Sequence, residues 1–373
     1  MGTPYGEQLE KKRSSLVAAL AAHGLGGLVE VPEVKGSPEV FGYRTQAKLV
    51  VRRMRGRLVF GLYRPGSHRV EEASACAVHH PLVGRVLDAL RLEVERRKWP
   101  VYDERTGEGL LRFVVVRVSR WQKKAQLVLV TRAPLPGVRD AARKLLEKVR
   151  GLASVVENLN PTPGNVIWGE RSVPRGGEPG LLEKVGHLKL VAHPGAFLQA
   201  NIPVARRIYR RVVELACPGP GDVVLDLYSG VGAIALHLAE RAKLVLAVEE
   251  SPVAVADAKA NARRNGFHNV RFFCGQAALR VEELLGTYPG FDVVAVNPPR
   301  AGMDERAREA VLRACPARLV YVSCEPTTLA RDLRWFVDRG FRLARVEPFD
   351  MLPQTEHVET VALLERGERG LQG

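Results

Sequence analysis

A chain of 373 residues is long enough for two domains, each with a full core. Its 46% hydrophobic and 26% charged residues are an ordinary globular balance, but the formal net charge of +15 is not. No apolar run reaches membrane-spanning length, residues 1–10 lack the apolar core of a signal peptide, and Gly6 stands where a myristoylation match needs Ser or Thr. A cytoplasmic protein with no membrane attachment is therefore expected. The five cysteines (Cys76, Cys217, Cys274, Cys315 and Cys324) form no C-x-x-C pair, which argues against a zinc knuckle or a disulfide frame and fits a reducing cytosol. The charge is unevenly placed. Residues 1–183 carry 31 Lys and Arg against 19 Asp and Glu, a net +12, and residues 184–373 carry 25 against 22, a net +3. A basic first half points to a polyanionic partner, nucleic acid foremost, with a merely soluble basic surface as the alternative.

In chain order, apolar periodicity predicts a helix over 7–23, ended by Gly24-Leu-Gly-Gly27. Strands follow over 43–53 and 58–63, joined by the basic turn Arg52-Arg-Met-Arg-Gly-Arg57. A helix is expected over 81–98, strands over 111–118 and 125–131 around Arg120-Trp-Gln-Lys-Lys124 and a helix over 138–149, with the stretches 155–158 and 165–168 closing this half. The mixture suggests an α+β domain with an antiparallel sheet, whose basic hairpin tips could hold phosphates and stack a base on Trp121. Charged tips also keep turns solvated, so both readings stand. The Gly- and Pro-rich segment 171–180 is the expected boundary, giving domains 1–183 and 184–373. Beyond it, apolar strands over 223–227, 244–248, 270–273, 292–296 and 319–322 alternate with helical stretches such as 251–265 and 304–314. That alternation predicts an α/β, doubly wound, mostly parallel sheet. Strands over 342–346 and 357–364 are expected to pair as an antiparallel hairpin at its edge.

Four strand ends carry chemistry. Asp226-Leu-Tyr-Ser-Gly-Val-Gly232 leaves the first parallel strand and enters a helix, and Gly230 and Gly232 let the backbone come close to a ligand. Glu249 ends the next strand, where an acid can take two ribose hydroxyls. Ala235 stands where a pyrophosphate loop has its third glycine, so S-adenosylmethionine fits better than NAD. Asn297-Pro-Pro-Arg300 ends the fourth strand: the prolines fix the amide of Asn297, which can read a base edge, and Arg300 can hold a phosphate or base oxygen. The alternative is a rigid cap on the strand. Cys324 follows the strand 319–322 and precedes Pro326, which suits the first position of a helix over 327–337. The dipole of that helix would favour the thiolate, although a cysteine beside a Val-rich strand is also a common small buried hydrophobe.

Four stretches together resemble the RNA uridine-C5 methyltransferase family, which makes 5-methyluridine in tRNA and ribosomal RNA. They are Phe197-Leu-Gln-Ala-Asn201, Asp226-Leu-Tyr-Ser-Gly-Val-Gly232, Tyr321-Val-Ser-Cys-Glu-Pro326 and Asp350-Met-Leu-Pro-Gln-Thr-Glu-His-Val-Glu359. The first half is similar to the family's substrate domain in Gly42-Tyr-Arg44, Tyr63-Arg-Pro-Gly-Ser-His68 and Tyr102-Asp-Glu-Arg-Thr-Gly-Glu-Gly-Leu-Leu-Arg112. The resemblance implies a Rossmann-like S-adenosylmethionine-dependent methyltransferase domain preceded by the α+β RNA-binding domain. It also implies that Cys324 attacks uracil C6, that C5 then takes the methyl group, and that Glu359 removes the C5 proton. Gln199, Tyr228, Glu249 and Gln276 would contact the cofactor by family position, and Asn297 the cofactor or the target base.

Departures from the family keep other outcomes in view. The family usually has Asp at Asn297 and Asn at Glu325, and Asn-Pro-Pro also occurs in enzymes that methylate exocyclic amines. Methylation of cytosine C5 or of a base amine is therefore an alternative, as is a non-catalytic RNA-binding or assembly protein. Many members carry an amino-terminal barrel and four cysteines for an iron–sulfur cluster. Only Cys76 lies in the first half here, so no cluster or other metal is expected, and RNA would be gripped by the basic hairpins. A monomer is expected; tRNA and rRNA are both open as targets.

Overall fold

The computed structural model describes residues 2–64 and 66–367. Met1, Pro65 (inside the stretch from Tyr63 to His68) and residues 368–373 lie outside the described residues. The backbone divides into two units. One runs to Val40, takes in Leu188–Leu190 and resumes at Ala196; the other comprises Phe41–His187 and Val191–Gly195.

Helix α1 (Tyr5–Ala22) belongs to the first of these. The expected boundary at 183/184 placed it in the basic half. Its apolar side, Leu16 and Leu20, enters instead the core that also holds Leu225, Leu246, Leu329 and Leu333. Helical periodicity tells which face is buried and is silent on what covers it. Moving residues 1–40 sharpens the charge asymmetry. The basic unit has 28 Lys and Arg against 14 Asp and Glu, net +14, and the other unit is left at net +1.

The basic unit contains β1 (Gln46–Met54), β2 (Arg57–Tyr63), β3 (Val70–Glu72), α2 (Pro81–Arg97), β4 (Leu111–Ser119), β5 (Lys124–Thr131), α3 (Val138–Lys148), β6 (Leu152–Leu159) and β7 (Arg171–Gly177). The sheet order is β3-β2-β1-β4-β5-β6-β7. It is mixed rather than antiparallel throughout, because β5 and β6 run parallel. Helix α3 supplies the crossover that a parallel pair needs. One face of the sheet is covered by α2 and α3 through residues such as Leu82, Val86, Ala142 and Leu145. The Gly- and Pro-rich segment 171–180, read as the boundary, holds a strand: β7 pairs with β6, and Pro174 sits opposite Val156 on the edge strand, where a missing N–H is tolerated. Residues 165–168 form no strand, because the Asn160 amide takes the carbonyls of Val166 (2.7 Å) and Ile167 (3.0 Å) in place of a partner strand.

Two short strands, β8 (Leu182–Val185) and β9 (Leu188–Val191), lead into α4 (Ile202–Ala216). The remaining elements are β10 (Val223–Leu227), α5 (Ala233–Ala239), β11 (Leu244–Glu249), α6 (Pro252–Arg264), β12 (Val270–Cys274), α7 (Ala277–Leu285), β13 (Val293–Val296), α8 (Glu305–Arg313), β14 (Arg318–Ser323), α9 (Pro326–Val337), β15 (Phe341–Phe349) and β16 (Glu359–Arg366). The sheet order is β12-β11-β10-β13-β14-β16-β15. Strands β10 to β14 are parallel; β16 runs antiparallel to both β14 and β15. This is the doubly wound sheet that the alternation predicts, with the expected terminal hairpin. The parallel strands are covered on both faces, so they read as near-continuous apolar runs. Strand order reverses between β10 and β13, and ligands bind at the carboxyl edge of such a switch point.

Candidate active site

The turn after β10 is built from positive φ angles: 60° at Tyr228, 54° at Gly230 and 83° at Gly232. A Cβ added at Gly230 would meet nothing within 4 Å, whereas one at Gly232 would lie 3.1 Å from the Phe272 ring and 3.2 Å from Ala258. Gly232 is thus demanded by packing, and Gly230 leaves its side of the turn open for a ligand. Glu249, at the end of β11, braces this turn. Its Oε2 accepts the Gly230 N–H and its Oε1 the Ser251 N–H, both at 2.9 Å. A carboxylate has about four acceptor positions, so capacity for two hydroxyls remains. Asp226 is fully buried under the turn, and burial and the nearby Glu249 raise its carboxyl well above the usual carboxylate range.

The other expected cofactor residues follow the neighbouring strand ends. Gln276 precedes α7 just beyond β12, where the Gly275 N–H bonds to Glu249 O at 3.0 Å. Asn297 leaves β13 with its N–H on Leu227 O at 3.3 Å. Gln199 comes from outside the sheet, in the segment before α4. Two residues on, the buried Asn201 amide donates to Ser37 Oγ and to Met351 O, both at 3.1 Å, next to the loop that leads to Glu359.

Cys324 and Glu359 meet through sheet register. Ser323 of β14 pairs with Thr360 of β16, so Cys324 and Glu359 each lie one residue beyond the last paired position, and Glu359 acts electrostatically on the Cys324 thiol. Glu359 is only 6% exposed, and burial pushes its carboxyl up to about 7, with Arg300 opposing the rise. The Cys324 thiol is half-buried and is also pushed up, first by burial and then by Glu359, while Arg300 pulls it down. Burial and the Glu359 carboxylate thus act on the thiol in the direction opposite to that expected of the α9 dipole.

The Arg300 loop is rigidly seated. Arg300 O accepts Thr328 Oγ1 at 2.9 Å, and its Nη2 lies 2.9 Å from His357 Nε2. Beyond it, Arg331 donates to Ala301 O at 2.9 Å. Asp332 accepts the Met303 N–H (2.8 Å), Tyr321 Oη (2.7 Å) and Arg308 (2.8 Å). Sequence reasoning missed Asp332, yet it stands among Leu329, Leu333 and Phe336 on the buried side of α9, and a carboxylate on an apolar stripe is a signal in itself. It also missed Lys12 and Asp350, a buried pair at 2.5 Å. Lys12 reaches Leu352 O (3.0 Å), Tyr5 Oη donates to Asp350 (2.8 Å), and Gln8 accepts the Gln354 N–H (3.0 Å). Helix α1 thereby clasps the loop that ends at Glu359. Among the described residues, no group of three or more His, Cys, Asp or Glu could hold a metal ion, and no helix is long and apolar enough to cross a membrane.

A family model described as tRNA (Uracil-5-)-methyltransferase matches residues 186–367, the stretch that contains every cofactor and catalytic candidate above. An uncharacterised RNA methyltransferase of Geobacter sulfurreducens is 41% identical over 361 residues, covering 96% of this chain and 73% of that protein. The chain belongs to the RNA uracil-C5 methyltransferase family. A second relative, an uncharacterised RNA methyltransferase of Clostridium tetani, is 34% identical and covers 96% of this chain and 78% of that protein. Among solved structures, the tRNA (uracil-54, C5)-methyltransferase of Pyrococcus abyssi, in complex with S-adenosyl-L-homocysteine, is similar with a TM-score of 0.77 and 28% identity, over 97% of this chain and 84% of that one. The protein is thus an S-adenosylmethionine-dependent RNA (uracil-C5-)-methyltransferase, with a Rossmann-like sheet carrying the family's motifs.

Proposed function

We propose that this methyltransferase forms 5-methyluridine through a covalent bond between Cys324 Sγ and C6 of the target uracil. The observation that carries the reading is the register that leaves Cys324 and the buried Glu359 each one residue beyond the last β14–β16 pair, with Glu359 acting on the thiol. C5 of uracil is a poor nucleophile until addition at C6 makes it enolate-like, so a thiolate beside the ring is the natural first partner. S-Adenosylmethionine supplies the methyl group that C5 takes. The product is released when the C5 proton leaves and the S–C6 bond breaks, restoring the double bond. Glu359, ionising near 7, suits the removal of that proton at neutral pH. Tyr228, Gly230, Glu249, Gln276 and Asn297 lie on consecutive strand ends and would hold the cofactor, Glu249 at its ribose, with Gln199 joining from the segment before α4. Asn297 and Arg300 would face the target base, which must be unpaired or flipped out to reach the thiol.

The substrate we infer is a folded RNA, with tRNA favoured over rRNA because the similar Pyrococcus abyssi enzyme acts on tRNA. The +14 of the basic unit supports a phosphate-binding role there. Within it, a hollow of about 950 Å³ is lined by Arg52, Arg53, Arg64, Arg69 and Arg105 together with Glu71, Asp103 and Glu104, which pair with Arg64, Arg105 and Arg52. At the other hairpin, Trp121 is 43% exposed while Glu183 accepts the Arg120 and Trp121 N–H groups at 2.7 and 3.2 Å, giving a firm platform for a stacked base.

The deciding experiment incubates the protein with S-adenosylmethionine and unmodified tRNA and rRNA transcripts, followed by nucleoside mass spectrometry. 5-Methyluridine in the wild type, and none in Cys324→Ala with cofactor affinity retained, is the expected result. Transfer by Cys324→Ala would rule out the covalent route, and 5-methylcytidine or a methylated amine would rule out uracil as the target.

A further inference from the structure

His357 stands two residues before Glu359, and Arg300 ends the Asn297-Pro-Pro-Arg300 turn; 57 residues apart in sequence, they meet at 2.9 Å between Arg300 Nη2 and His357 Nε2. A guanidinium has donors only, so this contact requires a lone pair on Nε2, which an imidazole offers only when neutral and protonated on Nδ1. The surroundings favour the neutral ring. Burial is the largest effect lowering the His357 pKa, Arg300 and Lys12 lower it further, and Glu325 and Glu356 pull the other way. The same guanidinium lies within hydrogen-bonding reach of the Cys324 thiol, and it opposes the upward shift on both Cys324 and Glu359. Arg300 is itself exposed at the sheet edge, on a long flexible side chain that would otherwise spread over many rotamers in water. Its backbone is pinned by Thr328, but this leaves the side chain's direction undetermined; the His357 ring determines it.

We propose that neutral His357 is a positioning residue which, by accepting a hydrogen bond from Arg300, holds the guanidinium against Cys324 so that its charge stabilises the thiolate in the face of the Glu359 carboxylate. The inference rests on Cys324 being the nucleophile, and it adds a device that no part of that chemistry requires. Glu359 must be close to the thiol to do its own work, and closeness of two anions disfavours both; a fixed cation acting on both relieves the conflict. Protonating His357 turns Nε2 into a donor and places a second cation against Arg300, so the arrangement dissolves on acidification.

The test reads the thiolate directly, with no RNA and no turnover. Alkylation of Cys324 by iodoacetamide is followed by mass spectrometry of its peptide, which separates it from the other four cysteines, over a range from about pH 6 to about pH 9.5. In His357→Leu the ionisation midpoint should move up, lowering the rate at neutral pH roughly ten-fold, the effect of losing one close opposite charge. Arg300→Gln should do the same, and the double variant should lose no more than Arg300→Gln alone. His357→Gln, whose amide oxygen can accept near the Nε2 position, should recover most of the wild-type profile. A wild-type profile in His357→Leu or in Arg300→Gln overturns the proposal. So does a His357→Gln as slow as His357→Leu, which would reduce His357 to packing. Should His357→Leu fail to retain cofactor affinity and a cooperative melt, Arg300→Gln and His357→Gln still decide. Failure of the covalent reading would show elsewhere, as methyl transfer by Cys324→Ala, and so cannot be confused with failure here.

Discussion

At the scale of single residues, burial and neighbouring charges move the pKa values of several site groups away from their ordinary values. Glu359 carries the clearest consequence. In the unfolded chain its carboxyl ionises near 4.5, and in the fold burial raises this to about 7. The unfolded state therefore releases the proton first, and the fold loses stability as pH rises from about 4.5 to about 7. Above that window the full cost, roughly 3 kcal/mol, is in place. Glu359→Gln, of the same shape and uncharged, should raise stability by up to that amount in denaturant titrations at about pH 8, and the gain should vanish below about pH 4.5. The same substitution should slow product formation by roughly 10²–10⁴-fold, the usual worth of a general base. An RNA–protein adduct stable to detergent should then accumulate on gels and be absent when Cys324 is also replaced by Ala. In the wild type, transfer should rise with pH through about 7 as the base ionises.

At the scale of elements, α1 and the loop from Asp350 to Val358 act as one piece. Lys12 and Asp350 are 2% and 0% exposed in their side chains, and burial lowers the lysine pKa against the pull of Asp350. Removing one partner of such a pair strands the other, so Lys12→Met should destabilise the protein by about 3–5 kcal/mol in urea titrations. The double variant Lys12→Met, Asp350→Asn should recover most of that loss, because no uncompensated charge remains. Methyl transfer in the double variant should remain lower than its cofactor affinity would suggest, since the loop that delivers Glu359 is then held less firmly.

At the scale of the whole molecule, charge is divided almost completely between the units, +14 against +1. Not every arginine in the basic unit is free to meet a phosphate. Arg52 donates to Tyr63 Oη and Glu104 at 2.6 Å each, and Arg53 grips Glu95 at 3.0 and 2.9 Å. Arg55 and Arg57, at the tip of the same hairpin, are exposed. Replacing Arg55 and Arg57 with Gln should weaken RNA binding and flatten the logarithmic salt dependence by roughly 1–2, about 0.7–0.9 for each phosphate left without its cation. Replacing Arg52 should instead lower the stability of the unit. An unchanged slope in the Arg55, Arg57 variant would place the phosphate-binding surface on another face.

The chemistry of this protein was legible wherever it depends on neighbours along the chain. Strands β10 to β14 read clearly because both faces are buried, which leaves continuous runs such as Val293–Val296, and the step from β14 through Cys324 to Pro326 announced a strand end and a helix start. The turn after β10 was legible for the same reason, although Gly230 and Gly232 look alike in sequence and only the Phe272 ring separates their surroundings. What no local pattern carries is the choice among equivalent long-range partners. An amphipathic helix must cover its apolar side, but the α9 side of one unit served α1 where the basic half was expected. A Gly- and Pro-rich segment reads as a boundary, but here it pairs with β6 as an edge strand. The raised pKa values of Asp226 and Glu359 and the Arg300–His357 contact arise from desolvation and from charges brought together across the fold, and folding alone sets these distances.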